Sequence, residues 1–210
     1  MGFIRSLRKK EMDLNIDQLK DQIPYYLTRE QKDGLIKALS DFPEKMNYYT
    51  MLHKEDLLQG DGWSSLTIIN FYSCEKKNVK GIIVSNSCDI SMENPRDTPP
   101  KVIFSPIIKL DGYIQKLKES GLAIHKVEDK LRAIKEQKIT SIFYLPKQSI
   151  LDGDYIALLD DTHSMPAHIF WHNTDKQKIF TLSQVGFYLF IMKLSIHFCR
   201  FHENVIRDKN

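Results

Sequence analysis

The chain has 210 residues, 42% of them hydrophobic and 27% charged, with a formal net charge of +3. That balance excludes a disordered or collagen-like chain and permits a polyanionic partner without requiring one. Three widely spaced cysteines, Cys74, Cys88 and Cys199, exclude a disulfide scaffold or zinc finger and suit a reducing cytoplasm.

Residues 1–57 are expected to form an N-terminal helical segment. Thr28-Arg29-Glu30-Gln31 has the form of a capping box, Leu35, Ile36, Leu39 and Phe42 recur at helical spacing, and Pro43 stops the helix. Residues 44–58 are expected to continue as another helix. The basic start, with Arg5, Arg8, Lys9 and Lys10, lacks the apolar core of a secretory signal. Gly60-Asp61-Gly62-Trp63 is a turn signal, and from there the character changes. Residues 65–74, 79–88 and 101–107 read as strands, rich in β-branched and aromatic residues. Glu75 to Asn78 reads as the polar loop between the first two. Pro95, Pro99 and Pro100 fall in the connection before the third, where no ladder donors are needed.

Residues 111–138 switch to helical periodicity, with Tyr113, Leu117, Val127, Leu131 and Ile134 in apolar rows and Gly121 dividing two helices. Strands are expected again at 139–146, 154–160 and 167–173, with a short last one at 178–182. Thr181 and Gln184 have capping-box spacing and open a long helix over about 182–207. Its apolar stretch, Gly186 to Phe198, is too short to span a bilayer and is interrupted by Lys193 and His197. No membrane partner is expected. Residues 58–210 would thus be one barrel domain carrying a helical insertion at about 111–138. Strands clustered around one insertion argue an α+β fold with an antiparallel barrel or curled sheet, not a parallel βαβ sheet.

Three stretches carry a family resemblance: Gly60-Asp61-Gly62-Trp63 opening a strand, Lys80-Gly81 leading into Ile82–Asn86, and Ser105-Pro106-Ile107-Ile108 ending the next strand. Together they resemble the core of the PemK/MazF-type toxin endoribonucleases over residues 58–108. The resemblance implies a small SH3-like β-barrel and a nucleic-acid-associated protein of a prokaryotic toxin or defence system, with RNA cleavage as the strongest form of that expectation. The family's catalytic pair is an Arg before the second strand and a Thr after the third. Here those positions hold Lys80 and Ile108. Lys80 can hold a phosphate as a point charge without the guanidinium fork, whereas Ile108 offers no donor or proton. A barrel that has lost its chemistry and serves as a protein-interaction module, with a cognate protein partner, is therefore a second reading.

The chemistry-bearing candidates centre on Ser85-Asn86-Ser87-Cys88-Asp89. Asp89 or a nearby His would act as base, Lys80 as charge stabiliser, and Arg96 would hold an anion. Cys88 is the nucleophile of a third reading, a cysteine-dependent hydrolase, although the adjacent carboxylate opposes the thiolate. The blander alternative is a strand end where Asn86 and Asp89 bond the backbone. Lys76 and Lys77, with Arg96, are candidate contacts to RNA or DNA phosphates, and Phe71, Tyr72 and Tyr113 lie among the basic residues as stacking candidates. The lysines of 111–138 are equally explained as a solvated helix surface. His163, His168 and His172 lack a completing carboxylate or thiol, and His197, Arg200 and His202 read as a polar stripe on the last helix. No metal or other cofactor is expected.

Overall fold

The computed structural model describes residues 47–198 apart from 92, 95 and 96. The predicted helices before residue 47 and the last turns of the C-terminal helix lie outside the described residues. Eight strands form one sheet: β1 (Tyr49–Thr50), β2 (Gly62–Ile69), β3 (Lys76–Ile83), β4 (Lys101–Lys109), β5 (Ile142–Leu145), β6 (Tyr155–Leu158), β7 (His163–Pro166) and β8 (Lys178–Leu182). Five helices accompany them among the described residues: α1 (Ser87–Ile90), α2 (Leu110–Glu119), α3 (Ile124–Lys135), α4 (Ala167–His172) and α5 (Gln184–Phe198).

The strand order is β1-β8-β2-β3-β4-β6-β5, with β7 added to β4. Every pairing is antiparallel. β4 makes the sheet curl. Its first half pairs with β7, from Lys101↔Pro166 to Phe104↔His163, and its last three residues pair with β6. One strand thus serves two sheet segments. The result is an α+β fold around a curled antiparallel sheet, with the long helix α5 at its C-terminal end.

Alternation along the strands sorts apolar side chains to two faces. Ile82 joins a core made with Phe143, Leu145, Tyr155, Phe180 and the buried face of α5, through Leu189, Phe190 and Met192. Its neighbour Ile83 points the other way, into a core of Trp63, Leu66, Ile90, Phe104, Met165 and Phe170. A third, smaller core lies under the helical hairpin, where Leu110 and Ile134 meet Ile142, Tyr144 and Ile156. Fully burying one such side chain stabilises by about 1.5–3 kcal/mol. Gly81 is required by this packing. A Cβ there would lie 2.8 Å from Leu66 Cδ1 and 2.9 Å from Phe104 Cδ2.

The helical insertion forms as the periodicity predicts, with Gly121 at φ +79° between its two helices. Four expectations need correction. Residues 167–173 are not a strand: Ala167 and Phe170 are buried at helical spacing, while Ile169 is half exposed. Residues 44–58 do not continue as a helix over their described part. Tyr49–Thr50 pair with β8, and both Tyr48 and Tyr49 are buried. Turn and strand trade places between β2 and β3, because Asn70 Oδ1 accepts the Tyr72 and Ser73 amides and turns the chain before the Lys76–Asn78 stretch. Finally, Ser183, not Thr181, caps α5: its Oγ accepts from Gly186 N, while Thr181 belongs to β8.

Candidate nucleic-acid interface

The β2–β3 hairpin projects beyond the core. Ile69 pairs with Lys76, Ile68 with Lys77, and Thr67 with Asn78. Leu66, Ile68 and Val79 take the inward face. Residues alternate in a strand, so Thr67, Ile69, Lys76, Asn78 and Lys80 share the outward one. The tip is closed by hydrogen bonds. Besides the two Asn70 side-chain bonds, Asn70 N donates to Glu75 O, Cys74 N donates to Asn70 O, and Ser73 Oγ bonds Glu75 Oε2. Cys74 takes φ +56° to close the turn.

This hydrogen-bonded tip carries two adjacent exposed aromatic rings. Phe71 is 90% exposed and Tyr72 fully so. Among the described residues, neither ring belongs to any of the three cores. Lys76, Lys77 and Lys80 are exposed beside them. Lys80 Nζ stands 5.6 Å over the Tyr155 ring. That ring belongs to a polar cluster at the far end of the same face, where Asp152 accepts from Lys109 Nζ at 2.8 Å and from Tyr155 OH at 2.7 Å. The lysine bond and the tyrosine bond hold the Asp152 carboxyl down at about 2. Burial, and secondarily the Asp152 bond, raise the Tyr155 phenol.

The Ser85–Asp89 stretch is a turn whose hydroxyls and amide serve the backbone. Ser85 Oγ accepts from Ile103 N at 2.7 Å, and Ser87 Oγ accepts from Gln59 N at 2.9 Å. Asn86 Oδ1 accepts from Cys88 N at 2.9 Å, and Asn94 Nδ2 donates to Cys88 O at 2.7 Å. Cys88 and Asp89 are exposed on α1. This helix is anchored by Ile90 in the core on the sheet face opposite Lys80. The fold therefore places Lys80 with Lys76 and the hairpin, and not with Cys88 and Asp89. Arg96 lies outside the described residues.

Gly60-Asp61-Gly62-Trp63 performs a structural task. Asp61 is fully buried, accepts from Leu58 N at 2.8 Å, and pairs with Lys178 Nζ at 2.8 Å. Burial raises its carboxyl pKa, and the Lys178 bond pulls it back. Lys178 also donates to the carbonyls of His53 and Asp56, so its three protons are all engaged. Residues 53–61 are thereby tied to β8. Sequence reading missed Lys178, which has no local signal and acts on a partner distant in the chain.

Ile108 pairs with Ile156 and packs against the core beneath the helical hairpin. Of the three histidines weighed for metal binding, His163 bonds Asp161 and stacks on Phe104, and His172 Nδ1 meets the His168 carbonyl one helical turn back. Among the described residues, no group of three or more His, Cys, Asp or Glu side chains is placed to hold a metal ion. No described helix is long and apolar enough to cross a membrane. No protein-family model matches the chain, and no curated protein shows significant similarity to it.

Proposed function

We propose that the protein binds single-stranded nucleic acid through the β2–β3 hairpin, on a framework of the SH3-like kind. The carrying observation is the pair of water-exposed rings, Phe71 and Tyr72, on a hydrogen-bonded tip flanked by Lys76 and Lys77. Bases stack on exposed aromatic faces whatever their sequence, and lysines neutralise the backbone. A duplex hides its base faces, so the pair favours single strands. The outward row Lys76, Asn78 and Lys80 continues that track along β3.

This reading supports binding over cleavage. A hydroxyl at position 108 would supply the family's chemistry, but the residue there is an isoleucine packed against the core. The resemblance makes a toxin or defence system the setting of this binding.

The test is fluorescence anisotropy with labelled single-stranded RNA, single-stranded DNA and duplex of equal length, over a series of salt concentrations. Single strands should bind more tightly than duplex, and log affinity should fall linearly with log salt. Absent or salt-independent binding would remove the proposal. Incubation of the same RNA with the protein should leave it intact.

A further inference from the structure

The polar cluster at the far end of the hairpin face contains more than phosphate binding needs. Lys80 and Lys109 both stand over the Tyr155 ring, 5.6 and 5.8 Å from its centroid. Tyr155 is only 3% exposed, so its ring is a platform for the two amines and not a stacking face. Asp152 belongs to the same cluster and accepts from both Lys109 Nζ and the Tyr155 hydroxyl. Its side chain is 66% exposed. A Cβ on the neighbouring Gly153 would meet nothing within 4 Å, so the carboxylate is open to an approaching ligand.

Two features define what this carboxylate would take. First, it is ionised and only half used. The lysine and tyrosine bonds hold it at about 2, so near neutral pH it can only accept. Oδ2 takes the lysine and Oδ1 the phenol. Each carboxylate oxygen has two lone-pair sites, so each retains one for a donor from outside. Second, two ammonium groups face this one carboxylate, which leaves the cluster positive and lets a polyanion approach. The outward row of β3 leads there, with Lys76 and Lys80 about 13 Å apart at roughly 3.3 Å per residue. A strand stacked at the tip would lay its sugar–phosphate chain along that row. A phosphate on Lys80 brings the adjoining ribose to Asp152. The ribose 2′-hydroxyl is the one backbone group that can donate to a carboxylate.

We infer that Asp152 selects RNA: its carboxylate accepts a hydrogen bond from a ribose 2′-hydroxyl, Lys80 holds the adjoining phosphate, and Lys109 and Tyr155 keep the carboxylate in position. Deoxyribose offers no donor there and leaves a bare carboxylate facing a polyanion. This rests on the single-strand binding proposed above and adds to it a choice between RNA and DNA.

The probes are oligo(U), oligo(dU) and 2′-fluoro oligo(U) of equal length. They share bases and phosphates and differ only in the 2′ substituent, and fluorine keeps an RNA-like sugar but cannot donate. By anisotropy, wild type should bind oligo(U) about tenfold more tightly than either of the others, the scale of a hydrogen bond to a charged group. Asp152→Ala should make the three affinities equal. Lys80→Ala should weaken all three alike, by roughly three- to tenfold, and keep the preference. A merely structural role for Asp152 would shift the melting temperature or all three affinities together and leave their ratio unchanged. Equal binding of oligo(U) and oligo(dU) by wild type, 2′-fluoro strand bound as tightly as RNA, or an unchanged ratio in Asp152→Ala would overturn the assignment. Loss of binding to every oligonucleotide would overturn the hairpin reading with it, whereas equal binding counts against Asp152 alone.

Discussion

Two lysine-rich hairpins project from the same sheet and are built for different ends. In the helical hairpin α2–α3, charge is matched locally: Arg132 pairs with Asp129, Lys135 with Asp154 at 3.2 Å, and Lys130 sits over the Tyr113 ring at 5.6 Å. Leu110, Val127 and Ile134 are buried, and Ile124 is the exposed large apolar side chain of this hairpin. The β2–β3 hairpin does the opposite. Among the described residues no ion pair with an acidic side chain engages Lys76 or Lys77, and the two tip aromatics are exposed. Counting lysines does not separate the two. What separates them is whether charge is answered and whether apolar surface is covered. Exposed aromatics that the fold does not need are the informative feature.

The sharpest way to break this comparison is to strip the tip. Phe71→Ala/Tyr72→Ala should cost about 2–4 kcal/mol of single-strand binding, at roughly 1–3 kcal/mol per stacked base, and leave the melting temperature unchanged. The mirror experiment is Ile134→Ala. It should cost about 2–4 kcal/mol of stability by denaturant titration, through the cavity it leaves, with affinity per folded molecule unchanged. Charge tests follow. Lys76→Ala/Lys77→Ala should lower the steepness of the log-affinity against log-salt plot by about 1.5–2, whereas Lys116→Ala/Lys118→Ala on α2 should not move it.

The smallest effect concerns α5. Lys193 is buried, and its amine donates to the Gln137 carbonyl. Burial pulls its pKa from 10.5 to about 7. Between those values the unfolded chain carries the proton and the folded one does not. Stability should therefore rise with pH from about 7 toward 10.5 and be insensitive to this group below 7. Lys193→Met should remove that slope in denaturant titrations and stabilise by about 1 kcal/mol at pH 7.

Much of the frame was legible in the residues. Tyr113, Leu117, Val127, Leu131 and Ile134 announce two helices by spacing alone, and β-branched runs announce β2, β3 and β4. The short elements were not legible. Residues 167–172 offer too few positions to tell period two from period three and a half, and only the tertiary burial of Ala167 and Phe170 selects the helix. The hairpin turn was misplaced because Asn70 wins the turn through its side chain, against polar residues further on. For the site, Lys76 and Lys77 with Phe71 and Tyr72 were named from sequence, but their exposure is a property of where the core stops. Lys80 and Asp89 read as neighbours along the chain, yet the alternation of Ile82 and Ile83 sends them to different faces. The Asp61–Lys178 pair joins distant segments and leaves no local mark.

The most direct test of the central claim is a salt series of single-stranded RNA anisotropy on wild type and Phe71→Ala/Tyr72→Ala in parallel. The account predicts two parallel lines of equal slope, the variant weaker by about thirtyfold or more, because stacking is lost while the lysines remain. Coincident lines would contradict it, since binding would then owe nothing to the exposed rings.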